Sequence, residues 1–130
     1  MSWYIDSSAI LKLILDESER KSLVKFLKSP SVTSRVSRVE VKRTVNRLAP
    51  EHLELAFSEL EKLDYFPIST SVLNVAESFD QSITLRTLDA IQVATALYLG
   101  ESIEGLISYD AQMLKNAKKL GLKVISPGMK

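Results

Sequence analysis

Four acidic side chains stand where the pattern of the sequence changes, and their types suit them to chemistry. Asp6 and Asp110 each follow a short apolar run that is typical of a buried strand. Asp89 lies at the start of the most apolar helical segment, and Glu40 is the one acid in a basic stretch. The intervals between them are 34, 49 and 21 residues. Only the folded chain can bring them together.

Carboxylates without basic partners indicate a cation site. The acids that follow the strands have no basic neighbours in sequence to offset their charge. Grouped carboxylates repel one another unless a cation binds between them. Ligand sets made only of oxygen suit Mg²⁺ or Mn²⁺ rather than Zn²⁺. We therefore predict that the four acids converge on Mg²⁺, with Mn²⁺ as a substitute.

Each acid also has a purely structural interpretation. Asp6 and Asp110 are well placed as N-caps of the helices that follow them. Asp89 could complement a helix N-terminus, and Glu40 could pair with Arg38 or Arg43. A cap and a metal ligand can be the same residue, so the two interpretations do not exclude each other.

Basic residues are concentrated in two stretches. The first has five basic residues between positions 35 and 47 and a single acid, and the second lies between positions 115 and 123. Taken alone, each stretch is equally typical of a solvated helix face or of a surface for an anionic partner.

Short strands that alternate with helices position these residues. We predict strands over residues 3–5, 31–33, 64–68, 105–109 and 121–125. Helices are expected over residues 9–15, 36–48, 51–63, 70–79, 90–99 and 111–115, and another one that includes residues 23–27 after an acidic run at 16–19. This alternation is typical of an α/β domain with a parallel sheet, in which sites form beyond the carboxyl ends of the strands.

Composition narrows the class of protein. The chain has 130 residues, 45% of them hydrophobic and 25% charged, which predicts one globular domain over 1–130. There is no cysteine and a single histidine, so a disulfide scaffold, a thiol nucleophile and a thiolate zinc site are excluded. The longest stretch without charge is 12 residues, too short to span a membrane. We see no secretory signal and expect a cytoplasmic protein.

Four segments resemble, in order and spacing, the motifs of PIN-domain ribonucleases. Residues 4–10 are similar to the strand and Asp-Ser-Ser opening, and 37–41 to the helix that carries the second acid. Residues 85–94 are similar to the Leu-Arg-x-x-Asp-Ala-x-x-x-Ala signature, and 107–114 to the fourth motif. In that motif Ser108 stands where the family usually has Thr, and the hydroxyl is kept. In size and motif spelling the resemblance is to VapC, the toxin of type II toxin–antitoxin pairs.

The resemblance implies a three-layer α/β/α fold with a short central parallel sheet and many peripheral helices. It also implies a Mg²⁺-dependent endoribonuclease in which one or two ions activate water for attack on an RNA phosphodiester. Asp6 and Asp89 would bind metal directly, and Glu40 and Asp110 through water or at a second ion. Ser8 and Ser108 are candidate hydrogen-bond partners that orient the carboxylates.

The basic residues then become candidates for RNA contacts. Four residues of the first basic stretch would hold RNA phosphates near the acids: Arg35, Arg38, Lys42 and Arg43. Arg86 is expected to pair with Asp89 or with a phosphate. Trp3 and Tyr109 could stack on bases, although core packing is the favoured role for both. His52 is assigned no catalytic role.

The expected partners are an RNA substrate, a VapB-like antitoxin and a second copy of the chain. Surplus apolar residues in the helices between 36 and 63 predict the homodimer, namely Leu53, Leu55, Ala56, Phe57 and Leu60. Two alternatives remain within the family, an RNA-processing nuclease outside toxin–antitoxin systems and an inactive binding scaffold. A phospho-receiver domain is excluded because the chain lacks adjacent acids after its first strand, an Asp after a central strand and a Lys after a late one.

Overall fold

The computed structural model describes residues 2–15 and 18–129. Within these residues, five parallel strands form one sheet in the order β3-β2-β1-β4-β5. Their bounds are β1 Ser2–Ile5, β2 Val32–Ser34, β3 Asp64–Phe66, β4 Ile103–Ile107 and β5 Val124–Ile125. The predicted parallel α/β architecture is confirmed.

In the described part of the chain, seven helices surround the sheet, together with short 3₁₀ turns at Pro50–His52 and Gly100–Ser102. The helices are α1 Ser7–Ile14, α2 Arg20–Phe26, α3 Arg35–Leu48, α4 Leu53–Glu61, α5 Thr70–Glu77, α6 Thr87–Leu99 and α7 Ala111–Lys119. Of the acidic run predicted to precede α2, Asp16 and Glu17 lie outside the described residues, and Glu19 occupies the N-cap position.

The last strand is shorter than predicted because residues 121 and 122, which were expected at its start, form the turn that ends α7. Gly121 has a φ of 90°, in the left-handed region that favours glycine at a helix C-terminus. The N–H of Leu122 donates to the carbonyl of Ala117 at 3.0 Å. These bonds stop the helix and delay β5 until Val124.

Alternation along the central strands separates two helical layers. Tyr4 and Leu106 are paired in register and pack with α6 and α7. Ile5 and Ile107 are also paired, and their side chains join the core formed with α1 to α4. Since successive side chains of a strand point to opposite faces, this pattern produces the three-layer α/β/α arrangement that was predicted.

Helix α6 is enclosed on nearly all sides. Its residues 91–96 are buried, and it packs against α3, α5, α7, β2 and β4. A helix in this position must be apolar around its whole circumference, or else satisfy its polar groups internally.

Within the described part of the chain, no helix has both the length and the apolar character that crossing a bilayer requires.

Candidate active site

Asp6 leaves the sheet at the carboxyl end of β1, beside the end of β4. Its N–H donates to the carbonyl of Ile107 at 3.2 Å. Its Oδ1 accepts from the N–H of Ala9 at 3.0 Å and from Ser8 Oγ at 2.7 Å, and its Oδ2 accepts from Ser108 Oγ at 2.5 Å. The side chain is only 2% exposed. Asp6 is therefore an N-cap whose carboxylate is held in one orientation by two hydroxyls.

Asp110 follows β4 and is joined to the Asp6 loop through the same hydroxyls. Its Oδ1 accepts from the N–H of Met113 at 3.0 Å, so Asp110 caps α7. Its own N–H donates to Ser108 Oγ at 3.0 Å, and the N–H of Tyr109 donates to Ser8 Oγ at 2.9 Å. The hydroxyl oxygens of Ser8 and Ser108 lie 3.2 Å apart, so these two side chains connect the loops at one edge of the sheet.

Glu40 faces this edge from α3. Its Oε1 accepts from Ser7 Oγ at 2.7 Å and from Gln92 Nε2 at 3.0 Å. Asp89 lies in the first turn of α6 and is partly buried. Asp6, Glu40, Asp89 and Asp110 are called the acidic cluster below.

The electrostatics of the acidic cluster show that its members influence one another. Burial raises the pKa of Asp6 to about 6, and the charge of Asp110 adds to the rise, while its hydrogen bonds oppose it. Burial also raises the pKa of Asp89, with further rises from the charges of Asp110 and Glu40, whereas Arg86 lowers it. The carboxylates therefore lie within electrostatic reach of each other.

The partners and the geometry of the acidic cluster determine what kind of cation it could hold. Among residues 2–15 and 18–129, the ion pairs within 4.0 Å join other residues and include none of the acidic cluster. In the same ranges no three acidic or histidine side chains converge on a common point at bonding distance. The donor set fits an ion that is held by one or two carboxylates and completed by water, which is the coordination that Mg²⁺ ordinarily uses.

The basic residues of α3 divide between two faces of the helix. Arg43 and Arg47 line a groove of about 750 Å³ together with Glu40. The guanidinium of Arg35 lies 5.8 Å from the ring centre of Tyr65, and Lys42 Nζ lies 5.7 Å from that of Phe57.

Arg38 shares the second face of α3. It donates to Tyr65 at 3.5 Å and pairs with Glu61 at 3.4 Å. Because a helix turns 100° per residue, residues 35, 38 and 42 face away from Glu40. Of the four RNA contacts predicted on α3, the structure places only Arg43 in the groove with Glu40.

The remaining candidates have local roles. Arg86 precedes α6, is exposed, and acts on Asp89 only through its charge. Tyr109 donates to the carbonyl of Pro127 at 2.7 Å, and Trp3 packs edge-on against Phe26 at 5.3 Å between ring centres. Packing, the favoured role for both rings, is what these contacts provide. His52 lies in the turn between α3 and α4.

Sequence reasoning missed Gln92, Ser7 and Tyr4. Gln92 is fully buried and contacts Glu40, and its Oε1 accepts a hydrogen bond from the hydroxyl of Tyr4. The available signal was a large polar side chain in the middle of the most apolar helix, because a buried amide needs partners. Its partners lie up to 88 residues away and could not be read from the local pattern.

Comparisons with known proteins agree with this architecture. The family model of the PIN domain matches residues 3–120. Ribonuclease VapC46 of Mycobacterium tuberculosis (strain ATCC 25618 / H37Rv) is 38% identical over 126 residues, which cover 95% of this chain and 96% of the relative. Ribonuclease VapC47 of Mycobacterium tuberculosis (strain CDC 1551 / Oshkosh) is 34% identical over 132 residues, 96% of each chain.

Solved structures show the same fold. A chain of a toxin–antitoxin complex from Klebsiella pneumoniae superposes with a TM-score of 0.78 at 19% identity, covering 99% of this chain and 100% of that one. VapC20 of Mycobacterium tuberculosis, a toxin that cleaves the sarcin–ricin loop, gives a TM-score of 0.74 at 13% identity over 97% of this chain and 100% of its own.

Proposed function

Because this chain belongs to the PIN-domain family, we propose that it is a Mg²⁺-dependent endoribonuclease and the toxin of a VapBC-type pair. The observation that carries the proposal is the acidic cluster, in which carboxylates from two helices and two strand ends repel one another without an ion-pair partner among the described residues. Similarity to VapC ribonucleases over 95% or more of the chain supports RNA as the substrate.

Each residue of the site then has a definable task. Mg²⁺, when bound, supplies an activated water and offsets the charge of the phosphodiester. Asp6 and Asp89 are the residues that would hold it, with Glu40 and Asp110 acting through water or at a second ion. Ser8 and Ser108 keep the Asp6 carboxylate in one orientation by donating to both of its oxygens. Arg43 and Arg47 give the groove beside Glu40 positive charge for RNA phosphates.

Metal dependence is the direct test. The purified chain is incubated with RNA in Mg²⁺, in Mn²⁺ and in EDTA, and the products are resolved by electrophoresis. We expect cleavage with either metal, none in EDTA, and recovery when Mg²⁺ is restored. Cleavage that persists in EDTA would contradict the proposed dependence on a metal ion.

The proposed partner is a VapB-like antitoxin in the cytoplasm. The structural likeness to a chain of a toxin–antitoxin complex supports this proposal. A short neighbouring reading frame that encodes a DNA-binding protein would separate a toxin from an RNA-processing nuclease. We expect its product to co-purify with the chain and to inhibit RNA cleavage, whereas a processing enzyme would be unaffected.

We also propose a homodimer. Of the five apolar residues expected at the interface, Ala56 and Leu60 are buried in the core, while Leu53 and Phe57 remain exposed. A second exposed apolar surface lies beside Glu40, where three side chains from separate segments line one groove, namely Val39, Ile68 and Leu88. We propose this surface, called the Val39 surface below, as the interface because its three exposed residues from separate segments line one groove.

A further inference from the structure

Gln92 lies at the centre of a buried hydrogen-bond network that ends on Glu40. The side chain is 0% exposed and lies among the buried residues of α6. Its Oε1 accepts from the hydroxyl of Tyr4 and from Ser37 Oγ at 3.1 Å. Its Nε2 lies 3.0 Å from Glu40 Oε1, 2.9 Å from Ser7 Oγ and 2.8 Å from Ser37 Oγ. The amide therefore uses both its acceptor and its donor capacity inside the protein.

The direction of these bonds determines which way the amide faces. The N–H of Ser34 donates to the Tyr4 hydroxyl at 3.1 Å, so the single hydroxyl proton is available to Gln92 Oε1. With Oε1 facing Tyr4, Nε2 must face Glu40.

The network connects the elements that carry three of the four acids. Tyr4 lies two residues before Asp6 on β1, Gln92 lies three residues after Asp89 on α6, and Glu40 is on α3. Ser7 completes the connection, since it accepts from Gln92 Nε2 and donates to Glu40 Oε1. Ser7 Oγ and Gln92 Nε2 both donate to Oε1 of Glu40. Among the described residues, no hydrogen bond reaches Oε2 of Glu40.

We propose that Gln92 is a positioning residue that fixes the Glu40 carboxylate, with Oε1 held by the protein and Oε2 left for the site. This inference rests on the proposed function for its consequence in catalysis, but its geometry does not. Residues that orient a metal-binding carboxylate typically change metal affinity or activity by ~10- to 100-fold when they are lost. Gln92 would act through Glu40 without touching RNA.

The test compares two variants with a matched control. Gln92→Met keeps the length of the side chain and removes its hydrogen bonds, and Tyr4→Phe removes only the hydroxyl that orients the amide. Thr95→Val is the control, because Thr95 is also fully buried on α6 but its hydroxyl donates to the backbone carbonyl of Ile91. Circular dichroism and thermal unfolding identify the variants that fold, and Tyr4→Phe carries the test if Gln92→Met does not.

We expect Gln92→Met to lower kcat for RNA by ~10- to 100-fold with little change in KM, and to weaken Mn²⁺ binding measured by calorimetry to a similar extent. Tyr4→Phe should change both in the same direction, and Thr95→Val should stay within about twofold of the wild type. A folded Gln92→Met that matches Thr95→Val in both measurements would overturn the inference.

A measurement on the metal-free protein separates this inference from the proposed function. We expect the Nε2 protons of Gln92 to exchange with solvent much more slowly than those of the exposed Gln81, and Glu40→Ala to accelerate that exchange. Fast exchange in the wild type would overturn the positioning role. If the wild type fails to cleave RNA while the Gln92 protons are protected, the proposed function is wrong and the positioning of Glu40 stands.

Discussion

At the scale of single residues, the acids of this site combine two roles that the sequence alone offered as alternatives. Asp6 and Asp110 both cap helices through Oδ1, which is the structural interpretation of an Asp after a strand. Asp6 also keeps a carboxylate buried near other negative charge, where its ionised form is disfavoured. A cap needs only one oxygen, so capping a helix and binding a cation are compatible roles for the same carboxylate.

Replacing Asp89 by Asn separates a metal ligand from a helix-terminus acid. The change keeps the shape and removes one negative charge from the acidic cluster. We expect Mg²⁺-dependent RNA cleavage to fall at least ~100-fold, which corresponds to about 2.7 kcal/mol of transition-state stabilisation. The metal-free thermal midpoint should stay level or rise, because repulsion by Asp110 and Glu40 is relieved. Near-normal cleavage with a slight loss of stability would show that Asp89 serves only the helix terminus.

The raised pKa of Asp6 predicts how metal-free stability depends on pH. An unfolded Asp has a pKa of about 3.8, and burial raises that of Asp6 to about 6 in the folded protein. Between these values the folded state binds more protons than the unfolded state, so the free energy of unfolding falls as pH rises. The effect is complete above about pH 6, where the folded side chain is ionised as well.

Asp6→Asn is the variant that isolates this effect. Urea unfolding of the wild type and of Asp6→Asn is measured in EDTA at several pH values from 4 to 7. The wild type should lose stability relative to the variant across this window, and the difference should level off above about pH 6. Parallel curves for the two proteins would contradict a raised pKa at Asp6.

At the scale of elements, α3 shows how one helix presents two different surfaces. Arg43 shares a groove with Glu40, while Lys42, one residue earlier, lies over the ring of Phe57. The 100° rotation per residue separates them, although they are adjacent in sequence. A basic stretch of sequence therefore does not predict a basic surface unless the orientation of its helix is also known.

Arg43→Ala and Lys42→Ala form a matched pair for RNA binding. Both remove one exposed positive charge from the same helix, and both are measured in an Asp89→Asn background so that RNA remains intact. We expect Arg43→Ala to weaken RNA binding and to reduce the salt dependence by about one phosphate contact. Lys42→Ala should have little effect on either. An equal loss from both variants would mean that overall charge, rather than the groove, determines binding.

At the scale of the whole molecule, the acidic cluster and the Val39 surface are neighbours. Val39 is 55% exposed and lines the same groove as Glu40. A second copy that covers this surface would lie beside the acidic cluster. The dimer interface and the surface that binds the substrate would then be adjacent.

Light scattering at tens of micromolar tests the dimer. We expect the wild type to have twice the mass of one chain, and Val39→Lys to have the mass of one, because a charge in an apolar interface is costly to bury. Phe57→Lys is the control for the exposed apolar residues of α4 and should remain dimeric. A monomeric wild type would contradict the proposed dimer. A monomeric Phe57→Lys together with a dimeric Val39→Lys would show that the interface lies on α4 instead of the Val39 surface.

Local patterns in the sequence were sufficient to predict the order of the elements and to select the acids as candidate site residues. Apolar runs such as residues 3–5 predicted the strands, although β3 and β4 each end two residues earlier than predicted, at Phe66 and Ile107. Because the carboxyl ends of parallel strands meet at one edge of the sheet, Asp6 and Asp110 could be placed there before any coordinates. These inferences depend on short-range periodicity, which the sequence contains.

Only the tertiary structure decided the surroundings of those acids. The bonds that orient Asp6 come in part from Ser108, 102 residues away, and those that hold Glu40 come from Ser7 and Gln92. The direction of each basic side chain on α3 also depends on how that helix packs. Long-range pairing of buried polar groups is a property of packing between distant segments, and the local pattern of the chain does not contain it.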